Sequence, residues 1–247
     1  MGRVWSPLLV QGELVLASGP RPHTRALTQE LAHFALRGGP GAVLWADGDH
    51  GFNPYDFAEM NLERGFDAEW GAERLLVKRC MTPFQWDTVL TRHLKEKLTA
   101  LAASAAPAAL VLAAPYEDLF STDELQDWER EDYIEYSLAH LKGLAEEFDL
   151  PVVIAVDMAR WCTVNPLMAW KAFEAADQRF AVRRSGEGWE AFEVSREVLA
   201  GGALAHLRQR TLTDFGGREV PSPTVRLVAQ PARLDRTARA VAVERGR

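Results

Sequence analysis

Leu14-Val15-Leu16-Ala17-Ser18-Gly19-Pro20-Arg21-Pro22-His23-Thr24-Arg25-Ala26 is the stretch on which the fold turns. An apolar run with no polar alternation reads as a strand buried on both faces. A Gly-Pro turn follows, and a helical spacing of apolar residues runs from Leu27 to Arg37. Strand, glycine turn and helix are the setting of a phosphate-binding loop, whose motif is G-x-x-x-x-G-K-[ST]. Gly19 takes the first glycine position, Thr24 stands for the second glycine, Arg25 for the lysine and Ala26 for the hydroxyl residue. Gly19, Arg21, His23, Thr24 and Arg25 are therefore the candidate nucleotide- or anion-binding residues of a degenerate loop. Arg25 can grip a phosphate as a bidentate fork. Ala26 cannot ligate Mg²⁺, and Pro20 and Pro22 each remove a backbone donor.

Strands and helices alternate outward from this point. Ala42 to Ala46, Arg74 to Lys78, Ala108 to Ala114 and Pro151 to Val156 read as further buried strands. Leu27 to Arg37, Pro54 to Arg64, Pro83 to Ala103 and Asp123 to Phe148 read as the helices between them, with Asn53 as a cap and Pro54 in the first turn. Such alternation implies βαβ units and a parallel sheet covered on both sides. Arg179 to Arg184 and Trp189 to Val194, joined by Ser185-Gly186-Glu187-Gly188, read as an antiparallel hairpin. The expected fold class is α/β, a mostly parallel central sheet with helices on both faces and a C-terminal hairpin. One domain is expected over 1–225, with Val225 to Ala229 as a last strand. A basic, mobile tail is expected over 226–247, where six arginines face Asp235 and Glu244.

Composition narrows the partners. The 247 residues suffice for one large domain, and 47% hydrophobic with 26% charged residues is ordinary for a globular chain. A net charge of −7 argues against whole-surface nucleic-acid binding, so any DNA contact must be local. The two cysteines, Cys80 and Cys162, have no metal-ligand spacing and suit a reducing cytoplasm. Met1 to Trp5 lacks a signal-peptide core, and no apolar run reaches membrane-spanning length. A cytoplasmic location is the expectation.

Four strings, in this order, resemble the RecA/RadA recombinase superfamily, and within it the recombinase paralogues. They are Gly12 to Pro20, Trp45 to Pro54, Arg79 to Gln85, and the strand Leu110-Val111-Leu112 followed by Leu119-Phe120, a long helix and Val152-Val153-Ile154. Together they span roughly residues 10 to 195. The resemblance implies a RecA-like core. It also implies where chemistry is missing. The family's second metal-associated aspartate belongs at the end of the strand that here finishes Ala113-Ala114-Pro115. With the loop lysine and hydroxyl also absent, degenerate Walker A and B motifs are implied and no catalytic residue is expected. Asp49 falls on the position of the family's water-activating glutamate and is the weak catalytic candidate. Asp47, Asp49 and His50 are the weak metal candidates; turn chemistry is the plainer reading of all three. No resident cofactor is expected, with ATP binding without hydrolysis left open.

The same resemblance places a DNA-facing loop after the fifth strand, at Met158 to Pro166. Arg160, Trp161 and Lys171, extended by Arg183 and Arg184, are the DNA-binding candidates there, and Arg233, Arg236 and Arg239 are those of the tail. An acidic band from Glu117 to Glu135 reads as a solvated helix start, or as a dock for a basic partner. The expected function is that of a catalytically degenerate accessory factor in DNA repair and recombination. It would bind single- or double-stranded DNA, a partner recombinase or another repair protein, without hydrolysing ATP. The alternatives are an active NTPase using Arg25 and Asp49, or a pure protein-interaction module. The short segment ahead of the first strand favours a monomer or dimer over a self-assembled filament.

Overall fold

A computed structural model describes residues 8–48, 51–120, 125–185, 188–194, 228–230 and 238–242. The element order is β1 (Leu14–Ser18), α1 (Arg21–Arg37), β2 (Ala42–Gly48), α2 (Pro54–Glu63), β3 (Leu75–Cys80), α3 (Pro83–Thr88), α4 (Lys95–Ala102), β4 (Ala108–Ala114), α5 (Asp127–Phe148), β5 (Val152–Val156), α6 (Met158–Val164), α7 (Pro166–Ala175), β6 (Gln178–Ser185), β7 (Gly188–Val194), β8 (Val228–Gln230) and β9 (Ala238–Ala242). A π-helical segment, Val89–Leu94, joins α3 to α4, so the helix expected over Pro83 to Ala103 runs through with one widened turn.

The strands form one sheet in the order β3-β2-β4-β5-β1-β6-β7-β9-β8. Pairing is parallel from β3 through to β6 and antiparallel from β6 onward. This is the α/β architecture expected from the alternation, hairpin included. Successive residues of a strand point to opposite faces, and each face here has its own core. Leu14, Leu16, Val111 and Ala113 pack under α3 to α7 with Trp86, Leu138, Trp161 and Phe173. Val15, Ala17, Leu110 and Leu112 pack under α1 and α2 with Leu27, Leu31, Phe57, Val182 and Trp189. A strand must be apolar on both sides to serve two cores, which is why these runs show no alternation.

Most boundaries shift by one or two residues, and three differences bear on the site. Helix α1 starts at Arg21, six residues before Leu27, because Pro22 fits the first turn, where an N–H has no intrahelical partner to lose. Met158 to Pro166 is not a loop: Asp157 accepts from the Arg160 N–H and caps α6, and Asn165 accepts from the Met168 N–H and caps α7. Within the stretch expected as a tail, Val228–Gln230 and Ala238–Ala242 are strands β8 and β9. No helix among the described residues is long and apolar enough to cross a membrane.

Candidate functional site

The carboxyl ends of parallel strands are where α/β sheets place their sites, so the β1–α1 junction comes first. Only Gly19 and Pro20 separate β1 from α1. The Gly19 N–H donates to the Val156 carbonyl at 3.1 Å, and the His23 and Thr24 N–H groups both donate to the Pro20 carbonyl, at 2.8 and 3.1 Å. Pro22 has no N–H. Thr24 is buried, and its hydroxyl donates to the Arg21 carbonyl at 3.0 Å. A phosphate loop works by turning successive N–H groups onto one anion; here those of Gly19, His23 and Thr24 are turned onto carbonyls. The residues read as a degenerate loop, Arg21 to Thr24, are thus the first turn of a helix. Gly19 has a different reason to be glycine: a Cβ there would lie 2.4 Å from the Val182 carbonyl oxygen of β6. Arg21 and Arg25 remain together on one flank of α1, four residues apart, and both line a cleft.

The ends of β2 and β4 are equally committed. Asp47 is fully buried, accepts from the Phe52 N–H at 3.0 Å, and accepts from Arg79 Nε at 3.1 Å. Arg79 also donates to the Phe52 carbonyl at 3.2 Å. Burial raises the Asp47 pKa above the usual carboxylate value, and the Arg79 bond and the Phe52 and Gly51 N–H groups partly offset it. Asp47 therefore ties the chain after β2 to β3. The space beside the end of β4 is filled: a Cβ on Gly51 would lie 2.6 Å from Pro115 Cδ and 3.0 Å from the Ala114 carbonyl oxygen. Trp45 Nε1 donates to that same carbonyl at 3.3 Å. Asp49 and His50 lie outside the described residues, and among the described residues no cluster of His, Cys, Asp and Glu could hold a metal. Cys80 is buried, and desolvation together with the Asp47 charge pushes its thiol up to about 12, which is inert.

Among the described residues, three of the DNA-binding candidates are committed elsewhere. Trp161 is 1% exposed and packs against Tyr116 with ring centroids 5.9 Å apart, so it is core and not a stacking platform. Lys171 donates to the carboxylates of Glu131 and Glu135. Desolvation pulls its pKa down, but those two bonds outweigh it and the ammonium ends up raised. Arg183 is buried, donates to the Glu190 carboxylate and lies over the Phe192 ring at 5.4 Å. Arg160 and Arg184 are exposed, at the carboxyl ends of β5 and β6. Arg239 sits in β9 opposite Glu193, while Arg233 and Arg236 lie outside the described residues. The acidic band is partly internal: Glu117 is buried and accepts from the Asp157 N–H at 3.0 Å, and Glu131 and Glu135 hold Lys171.

Sequence reading missed the feature that gathers most of the strand-end charge. A cleft of about 970 Å³ lies between α1 and α2, with residues of β3 and of the hairpin also in its lining. Arg21, Arg25 and Gln29 face it from α1, Asp56, Glu59 and Glu63 from α2, Arg79 from β3, and Arg184 and Trp189 from β6 and β7. The signal was present as two stripes at helical spacing, basic on one helix and acidic on the next. The α2 wall is clasped to α1 by Arg64 on Glu30 at 2.5 Å and by His33 Nδ1 against Asn61 Oδ1 at 2.9 Å. Asn61 in turn donates to the Ala68 and Trp70 carbonyls, at 3.2 and 3.0 Å. His33 is 2% exposed among Phe57, Phe66 and Trp70.

Burial, then the nearby Arg64 charge, lowers the His33 pKa to about 4, so the clasp is built on neutral imidazole. An unfolded chain takes up that proton near 6.5, and the folded chain only near 4. Stability conferred by neutral His33 is complete above pH 6.5 and falls as pH drops towards 4, by at most about 3 kcal/mol. Asp47, with its raised pKa, contributes in the opposite sense at the acid end. Denaturant titrations between pH 7 and 4.5 are expected to show a shallower pH slope for His33→Gln than for the native chain. Equal slopes would mean that His33 titrates normally. No protein-family model matches this chain, and no curated protein matches it either.

Proposed function

We propose that the chain is a RecA-like accessory protein of DNA recombination and repair that does not hydrolyse ATP and works through a protein partner. The observation that carries the non-hydrolysing reading is the β1–α1 junction. Transfer of a phosphoryl group needs donors and a metal arranged around the phosphates. Here the Gly19, His23 and Thr24 N–H groups are bonded to carbonyls, and Ala26 stands where a metal-holding hydroxyl is needed. The RecA-like part rests on the four sequence strings and on the α/β element order that follows them.

A protein partner is favoured over DNA by the state of the basic residues. Of Arg160, Trp161, Lys171, Arg183 and Arg184, the tryptophan is core and Lys171 and Arg183 are held by carboxylates. Phosphate contacts draw on accessible Lys and Arg, and the whole chain carries −7. The exposed arginines Arg160 and Arg184 stay the best DNA contacts on the strand-end edge. Phosphate release from Mg²⁺-ATP by the purified chain is expected at background, with and without DNA. Turnover lost in Asp49→Ala would move the protein to the NTPase reading.

A further inference from the structure

We infer that the α1–α2 cleft is a docking groove for an extended mixed-charge segment of a protein partner, one that carries a carboxylate at one end and a guanidinium or ammonium at the other. The partner class rests on the accessory reading above; the ligand chemistry rests on the cleft alone. Its first observation is an unspent polar side chain. Gln29 is 7% exposed, faces the cleft and makes no hydrogen bond among the described residues. Its amide is not sealed from solvent but opens onto the cleft, where it is available to an entering ligand. One turn earlier on the same flank, Arg25 Nε is buried without a hydrogen-bond partner among the described residues. Guanidinium and carboxamide side by side form a donor set for one oxyanion, with the amide oxygen left to accept an N–H.

The second observation is the opposite wall. Asp56, Glu59 and Glu63 present one acidic face of α2 to the same space. Asp56 accepts from Asn53 Nδ2 at 2.7 Å, and Glu59 and Glu63 make no ion pair among the described residues. Arg184, exposed at the hairpin end, adds to the basic wall and likewise makes no ion pair among the described residues. Glu30 and Arg64 pair across the two walls, but the stripes Arg21–Arg25 and Asp56–Glu59–Glu63 do not close on each other. A simple anion entering the groove meets three carboxylates, and a simple cation meets the arginines. A ligand with both charges, set across the groove, is attracted by both walls. A volume of about 970 Å³ suits several residues of extended chain rather than a lone ion.

The test is calorimetric titration of the full chain at low salt with three probes. They are a capped tetrapeptide with aspartate at one end and arginine at the other, a capped tetrapeptide with aspartate at both ends, and inorganic phosphate. The mixed-charge peptide is expected to bind more tightly than either other probe. Gln29→Leu and Arg25→Met are each expected to weaken it by about tenfold. The double variant Glu59→Gln, Glu63→Gln is expected to weaken the mixed peptide and to tighten the aspartate peptide, a reversal that loss of folding cannot produce. Equal affinity for phosphate and the mixed peptide, no heat from any probe, or the same ranking in the double variant would overturn the inference. None of these outcomes depends on ATP turnover, so this inference and the non-hydrolysing reading fail separately.

Discussion

Trp161→Ala is expected to lower the stability of the fold by about 3–5 kcal/mol, the usual loss when a buried tryptophan is truncated. The residue is 1% exposed and projects from α6 into the core beside Tyr116, which also contacts Trp86 and Phe120, with ring centroids 5.6 and 5.2 Å away. Part of that loss is apolar burial, and part is the cavity left where four aromatic rings meet. The Trp161 indole N–H has no hydrogen-bond partner among the described residues, so truncation forfeits packing there rather than a polar bond. Urea denaturation of Trp161→Ala beside Arg160→Ala separates the two neighbours. Arg160 is exposed, and its change is expected to stay within about 0.5 kcal/mol. If Trp161→Ala were as mild as Arg160→Ala, the tryptophan would be a surface residue after all, and a base-stacking role would return.

Gly19→Ala is expected to cost about 1–3 kcal/mol, the range for atoms forced into a packed site. The added Cβ meets the backbone oxygen of Val182 at 2.4 Å and its Cγ2 at 3.2 Å. A backbone oxygen held in a ladder cannot step aside as the end of a flexible side chain can. β6 is fixed on one side by β1, with Leu16 opposite Arg179 and Ser18 opposite Ala181, and on the other by β7. Relief therefore requires β1 and β6 to part at their carboxyl ends, where Arg184 reaches the cleft. The melting temperature of Gly19→Ala should fall by several degrees, roughly the shift that 1–3 kcal/mol gives a domain of this size. Gly39, where a Cβ would meet nothing within 4 Å, is the internal comparison, and Gly39→Ala should leave the melting temperature nearly unchanged. A neutral Gly19→Ala would mean that β6 does not approach the junction as closely as described.

Much of the fold was legible because the strands serve two cores. Ala108–Ala114 was read to the residue, and β1, β2 and β5 within two residues, since an uninterrupted apolar run of that length between turn signals has few other uses. The hairpin was legible from Ser185 to Gly188 flanked by alternating residues. Helix starts were harder. Pro20 and Pro22 were read as lost donors within a phosphate loop, although proline in the first helical turn is an ordinary start signal. Asp157 and the Asn165-Pro166 pair were start signals too, but a DNA-facing loop implied by resemblance took their place.

The site was less legible than the fold, for a physical reason. Residue type shows charge but not what neutralises it. Lys171 and Arg183 look like free cations in the chain and are spent on Glu131, Glu135 and Glu190 only when α5 and β7 come alongside. Asp47 looked like a ligand and is a tie to Arg79 and Phe52. Gln29 carried no signal at all, because an amide becomes informative only when the fold sets it, unbonded, in the wall of a cleft.

The basic wall of the cleft depends on the way α1 leaves β1. Were the junction to open into a phosphate loop, Arg21 and Arg25 would turn onto a nucleotide and away from the acidic face of α2. The most direct measurement is therefore calorimetric titration of ATP into the full chain, with Mg²⁺ and with chelator. The closed junction predicts no saturable heat, or a weak one that Mg²⁺ does not change. Saturable binding that requires Mg²⁺, accompanied by phosphate release, would contradict it.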